Sequence, residues 1–326
     1  LSLHDFEPDA DRVRFLDARM RGHLDQSLRY VIEQLEAHIP VASEPVAAFL
    51  TRLGSGPFPP LTFAIYGDLV FAIDRDDLEE AQRLLHLLLG QRPHAGGLQI
   101  RELGDRATDE NAGRYARYID TDRDLPLALT PPSRRSVPHC RRTIEEALAL
   151  LNAEDPGLSA EIRELLREII LCGDGAAPGE FSFGGASSFM LWGAVAINAG
   201  RRKDNIGMLQ MLAHESAHNL LFALCPDQPL LNNDPGERYP SPLRADLRPL
   251  EGIYHATFVC ARMHRALSRL AQSRGLSSGQ KAEVEKAADR NAGAFASGMT
   301  TLDNHADFTD PGRAIIESAR AYMISG

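Results

Sequence analysis

Five consecutive residues, His214-Glu215-Ser216-Ala217-His218, restrict this chain more than any other stretch. They lie within residues 204–224, whose apolar side chains recur at the three-and-four spacing of a buried helix. Residues four apart on a helix share a face, with Cβ atoms about 5–6 Å apart. Two imidazoles so placed reach one metal ion, and the glutamate between them falls beside the coordination positions left open. The plainer alternative is a core helix with two hydrogen-bonded histidines. The spacing, the glutamate and the helical setting together favour the metal.

Composition bounds the rest. A chain of 326 residues, 44% of them hydrophobic, can bury a sizeable core as one large domain or two. A formal charge of −10 argues against a nucleic-acid partner, which would call for a basic surface. Cys140, Cys172, Cys225 and Cys260 form no C-x-x-C pair. They read as reduced, mostly buried thiols that pack, rather than as a disulfide framework or metal ligands. No apolar run approaches the roughly 18–20 residues of a membrane span, and the first residues carry no signal-peptide pattern. The expectation is a cytoplasmic protein with no membrane partner.

Along the chain, residues 9–37 carry an apolar stripe at helical spacing, ended near Pro40. A short helix fits residues 44–53. Residues 61–73, LTFAIY and LVFAI across Gly67-Asp68, read as a β-hairpin. Asp74 or Asp77 would cap a helix running to Leu89, closed by Gly90, and residues 98–103 suit a strand. Residues 104–138 are polar and proline-punctuated, which predicts a boundary between an N-terminal region, 1–137, and a metal domain, 138–326. Helices fit 140–152 and 158–172, and 180–199 reads as one or two strands. A strand feeding a metal-binding helix is the zincin-like arrangement, in which an edge strand can pair with an extended peptide. Residues 225–249 contain six prolines, Pro226, Pro229, Pro235, Pro240, Pro242 and Pro249, and exclude helix or central strand. They are expected to form an ordered wall of the site. Further helices fit 250–265, 278–299 and 310–323. The predicted fold class is α+β, predominantly helical, with a zincin-like metal-binding domain and a small antiparallel sheet.

A catalytic metal needs a third protein ligand and room for substrate. Glu251 and His255 sit one turn apart on the next helix, so that one can bind and the other orient it. The reading favours His255 as ligand, with Glu251 as the alternative or the orienting group.

Residues 181–262, with HESAH followed by YPSPLRADLRPLEGIYHA, resemble bacterial HExxH-motif enzymes that modify ribosomally made peptides. The likeness covers about the C-terminal half. Its more distinctive part is the SPLRxDxRP stretch, residues 241–249, because HExxH alone is shared with zinc peptidases. The resemblance implies β-hydroxylation of a residue in a ribosomally synthesised precursor peptide, dependent on Fe(II) and 2-oxoglutarate. Such chemistry asks for metal ligands on one face, leaving positions for the keto acid and dioxygen. It also asks for a cation to hold the far carboxylate of 2-oxoglutarate. Arg244 and Arg248 supply it, with Tyr239 and Ser241 as hydroxyl donors. The runner-up is a Zn(II) metallopeptidase in which Glu215 is the general base. A third class is a metal-stabilised peptide-binding protein without turnover, its ion closed in by four protein ligands. Residues 1–137 are the candidate for holding the precursor's leader.

Overall fold

The structure, a computed structural model, describes residues 3–105, 107–121, 126–175, 182–243 and 246–325. In chain order the helices are α1 (Ala10–Leu35), α2 (Ser43–Ser55), α3 (Pro60–Asp74), α4 (Leu78–Leu89), α5 (Glu110–Ile119), α6 (Val137–Glu154), α7 (Pro156–Leu165), α8 (Asn205–Leu224), α9 (Leu250–Ala271), α10 (Ser278–His305) and α11 (Asp310–Ser325). The strands are β1 (Gln99–Glu102), β2 (Leu129–Thr130), β3 (Glu168–Asp174), β4 (Gly185–Ala186) and β5 (Ala194–Asn198). The fold is therefore α+β and predominantly helical. Two compact units share the chain: one holds residues 1–12, 140–162 and 203–326, the other 13–139 and 163–202. The chain thus changes unit at three further places besides the one near residue 138, and the units are interleaved rather than consecutive.

In the second unit, Leu24, Leu28, Ile32 and Leu35 of α1 form one core with Phe49 and Leu53 of α2, Ile65 and Leu69 of α3, and Leu84 and Leu88 of α4. Residues 61–73 are not the expected hairpin: they are the body of α3. A run apolar on every side has no period to tell strand from buried helix, and at this length helix is favoured. The Gly67-Asp68 pair, read as a turn, serves other purposes. A Cβ on Gly67 would overlap Met190, so glycine allows the close approach. Asp68 accepts hydrogen bonds from Arg114 at 2.7 Å and Tyr118 at 2.6 Å. Asp77 caps α4 by accepting from the Glu80 amide.

Two further expectations need correction here. The polar 104–138 stretch contains α5, capped by Asp109, whose Ala112, Tyr115 and Ile119 are buried in a second core with Ile170, Leu191 and Ala196. The helix expected over 158–172 stops at Leu165, and Glu168–Asp174 is a strand, β3. Its Ile169-Ile170-Leu171-Cys172 run is buried on both faces, as a strand inside a sheet requires. The sheet order is β1-β3-β5-β4, with β2 paired to β3. The β1–β3 and β3–β5 pairs are parallel; β4–β5 and β2–β3 are antiparallel. It is a mixed sheet, not the antiparallel one expected; the connection from β1 to β3 is far longer than a hairpin, as a parallel pair requires.

In the first unit, α9 packs against α8, α10 and α11. Asp204 caps α8 through the Gly207 amide at 2.8 Å, and Ser277 with Gln280 forms a capping box on α10. Residues 225–249 hold neither helix nor sheet strand among the described residues, as the prolines demand. Leu231 and Asn232 of this stretch contact the α10–α11 junction. Leu231 bridges Phe308, and the Asn232 amide donates to the Asp307 carbonyl at 2.8 Å. Tyr254 of α9 donates to the Gly312 carbonyl at 2.7 Å. Among the described residues no helix is long and apolar enough to cross a membrane.

Candidate metal centre

Met208, Leu209, Leu212, Ala213, Ala217, Leu220 and Leu221 bury α8 on most sides. That enclosure confines the polar residues of the motif to one edge, where His214 and His218 stand in successive turns. Their Nε2 atoms are 3.1 Å apart and the rings lie at 69°. Two bonds of about 2.1 Å to one ion, meeting between a right angle and the tetrahedral angle, set the nitrogens about 3.0–3.4 Å apart. This pair fits a single ion.

His255 approaches from α9. Its Nδ1 lies 3.0 Å from Nδ1 of His218, with the rings nearly parallel at 21°. Phe222 packs on both, its centroid 6.5 Å from that of His218 and 5.6 Å from that of His255. Nothing in the sequence pattern singled out Phe222, although its place four residues after His218 puts it on the same helical face. Burial pushes the imidazoles down, His214 and His255 to about 4 and His218 well below its ordinary range. The charge of Lys203 adds to the effect at His214, and the neighbouring imidazoles add to it at His218. All three are therefore neutral at pH 7, the form in which imidazole binds metals. Glu215 is 3% exposed, with Oε1 4.0 Å from Nε2 of His214. Asn219 donates to the Glu215 carbonyl at 3.2 Å, bracing the turn.

The remaining candidates are dispersed. Glu251 is exposed in the first turn of α9, one turn before His255. Burial raises the Cys260 thiol to about 12, an inert packing group; Cys225 is partly buried, and none of the four cysteines forms a disulfide. Arg248 pairs with Asp246 at 3.1 Å, and its backbone exchanges two hydrogen bonds with Tyr239, at 2.8 and 2.9 Å. Tyr239 donates its hydroxyl to Glu237 at 2.7 Å and lays its ring on His305, 4.6 Å between centroids. Ser241 Oγ accepts from the Leu243 amide at 3.4 Å. Arg244 lies outside the described residues.

The structure thus brings His214, Glu215, His218 and His255 together, and ties Tyr239 to Arg248. Two nitrogens stand at the spacing that one metal ion would need. Among the described residues no three His, Cys, Asp or Glu side chains converge on one point, because His255 meets His218 through the nitrogen that does not face His214. No protein-family model matches the chain, nor does any curated protein.

Proposed function

We propose that this chain is a metal-dependent peptide-modifying enzyme, an Fe(II)- and 2-oxoglutarate-dependent hydroxylase of a β-carbon in a ribosomally made precursor peptide. One observation carries the metal-dependent part: two half-buried imidazoles present their Nε2 atoms 3.1 Å apart, with the buried Glu215 carboxylate alongside. The zincin-like character lies, on this reading, in α8 and α9 alone. The choice of hydroxylation is supported by the likeness of residues 241–249 to the peptide-modifying HExxH enzymes.

When bound, iron with 2-oxoglutarate would supply the oxidation: one atom of dioxygen enters the peptide, and the other leaves with the keto acid as succinate and carbon dioxide. The side chains of this protein do the holding. His214 and His218 offer lone pairs from a helix whose burial restricts their rings. Arg248 must release Asp246 to take the distal carboxylate of 2-oxoglutarate. Their half-exposed pairing is worth at most about 1 kcal/mol, so the exchange is cheap. The leader of the peptide is assigned to residues 1–137.

A second reading, Zn(II) peptidase, is favoured by the position of Glu215. A buried carboxylate 4.0 Å from a ligand nitrogen stands where it could take a proton from an attacking water. The two separate in one experiment. Anaerobic protein given ferrous iron and then 2-oxoglutarate should develop a weak visible charge-transfer band. Mass spectrometry of a precursor peptide should then show the gain of one oxygen atom on admission of air. Cleavage products without added oxygen would transfer the assignment to the peptidase, and failure to bind any divalent metal would remove both.

A further inference from the structure

We propose that His255 is a positioning residue: its Nδ1 accepts the Nδ1–H of His218 and thereby holds His218 in the tautomer whose bare Nε2 faces the metal. This rests on the metal-centre reading above, and it departs from the ligand role expected of His255.

The argument is one of proton bookkeeping. A neutral imidazole carries one N–H and one lone pair. His218 meets a different ring through each nitrogen, His255 through Nδ1 at 3.0 Å and His214 through Nε2 at 3.1 Å. An ion held between the two Nε2 atoms needs both of their lone pairs, so both rings must carry their protons on Nδ1. The Nδ1–H of His218 then points at Nδ1 of His255, which must accept and so must carry its own proton on Nε2. That lone pair is thereby committed to a hydrogen bond and is not offered to a metal. Ligand histidines commonly have their second nitrogen fixed in this way, by a carboxylate or a carbonyl. Here a third imidazole does it, and Phe222 packed on both rings restricts their rotation.

Cobalt(II) is the probe, added to the full chain and followed by its visible bands, with circular dichroism to confirm folding. His255→Ala should weaken cobalt affinity about 10–100-fold. His255→Asn, whose Oδ1 can accept at the place of Nδ1, should stay within a few-fold of wild type. Neither variant should alter the position or intensity of the cobalt bands. If His255 is a ligand, Asn fails as badly as Ala and the bands change with the coordination sphere. That result overturns the positioning role and leaves the metal centre standing. If wild-type protein binds no cobalt, the metal reading falls and this inference with it. Long-range 1H–15N spectra of the metal-free wild type test the hydrogen bond directly. A proton on Nδ1 of His218 supports it, and a proton on Nε2 overturns it.

Discussion

Glu161 of α7 and Arg262 of α9 form an ion pair with each side chain only 1% exposed. Arg262 belongs to the same helix as His255, two turns further on, and also donates to the Phe6 carbonyl at 2.8 Å. Burial, and then the like charges of Arg12 and Arg265, push its guanidinium down to about 9, a sign of how much the charge costs in this place. Arg12 shares the same carboxylate, at 2.8 Å. Glu161→Gln removes the carboxylate that two buried guanidinium groups share and should destabilise the protein by about 3–5 kcal/mol. Urea unfolding checks this; a loss below about 1 kcal/mol would mean that water or the nearby carboxylates already compensate.

A second expectation concerns the crossing of α9 and α10. A Cβ on Gly298 would overlap Oγ1 of Thr257, a β-branched side chain whose hydroxyl is bound to the Ile253 carbonyl at 2.7 Å. Stiff at χ1, Thr257 cannot move aside, so Gly298→Ala should cost about 1–3 kcal/mol. The double variant Gly298→Ala, Thr257→Ala should recover part of the loss. Equal losses in the single and double variants would place the strain elsewhere.

The imidazole group predicts a pH dependence. Unfolded, each ring takes its proton near pH 6.5, whereas folded His214 and His255 resist protonation down to about 4. Between those values the unfolded chain binds more protons, so stability rises with pH and is lost as pH falls through the window. The slope is up to about 1.4 kcal/mol per pH unit for each ring. Urea midpoints measured from pH 7 to 5 should fall, and the fall should be shallower in His255→Asn. Parallel curves for the two proteins would show that His255 titrates normally in the folded state.

Glu215→Gln separates the two chemistries. A peptidase that relies on this carboxylate as its base should lose about 10²–10⁴-fold in rate. A hydroxylase need not use it as a base, and we expect oxygen incorporation to survive within about tenfold. Mass spectrometry of the peptide product reads both outcomes in one sample.

Arg248 and Asp246 give the last test. Asp246→Ala removes the carboxylate that competes for the guanidinium, and 2-oxoglutarate should bind up to about fivefold more tightly, the equivalent of about 1 kcal/mol. Arg248→Ala should weaken it about tenfold or more. Both are read from the charge-transfer titration. If neither variant moves the midpoint, Arg248 has no part in holding the cosubstrate.

The sequence by itself determined the elements whose signals are local. The stripe of α1, the Asp77 cap of α4, the Asp204 cap of α8 and the Ser277 capping box of α10 all lie within a few residues of the structure they specify. So does the spacing that turns His214 and His218 to one edge, and the prolines that keep the described part of residues 225–249 out of helix and sheet. Where apolar residues cover every side, as in α3 and β3, no period survives to be read, and the partner surface alone chose between helix and strand. Parallel strand pairing, the interleaving of two units and the arrival of Arg262 at Glu161 join residues far apart in the chain. The spacing of His255 from Glu251 marked both as candidates for the metal. Only the packing of α9 on α8 decided which nitrogen of His255 would meet which nitrogen of His218, because that depends on how two helices cross and not on the order of residues along either.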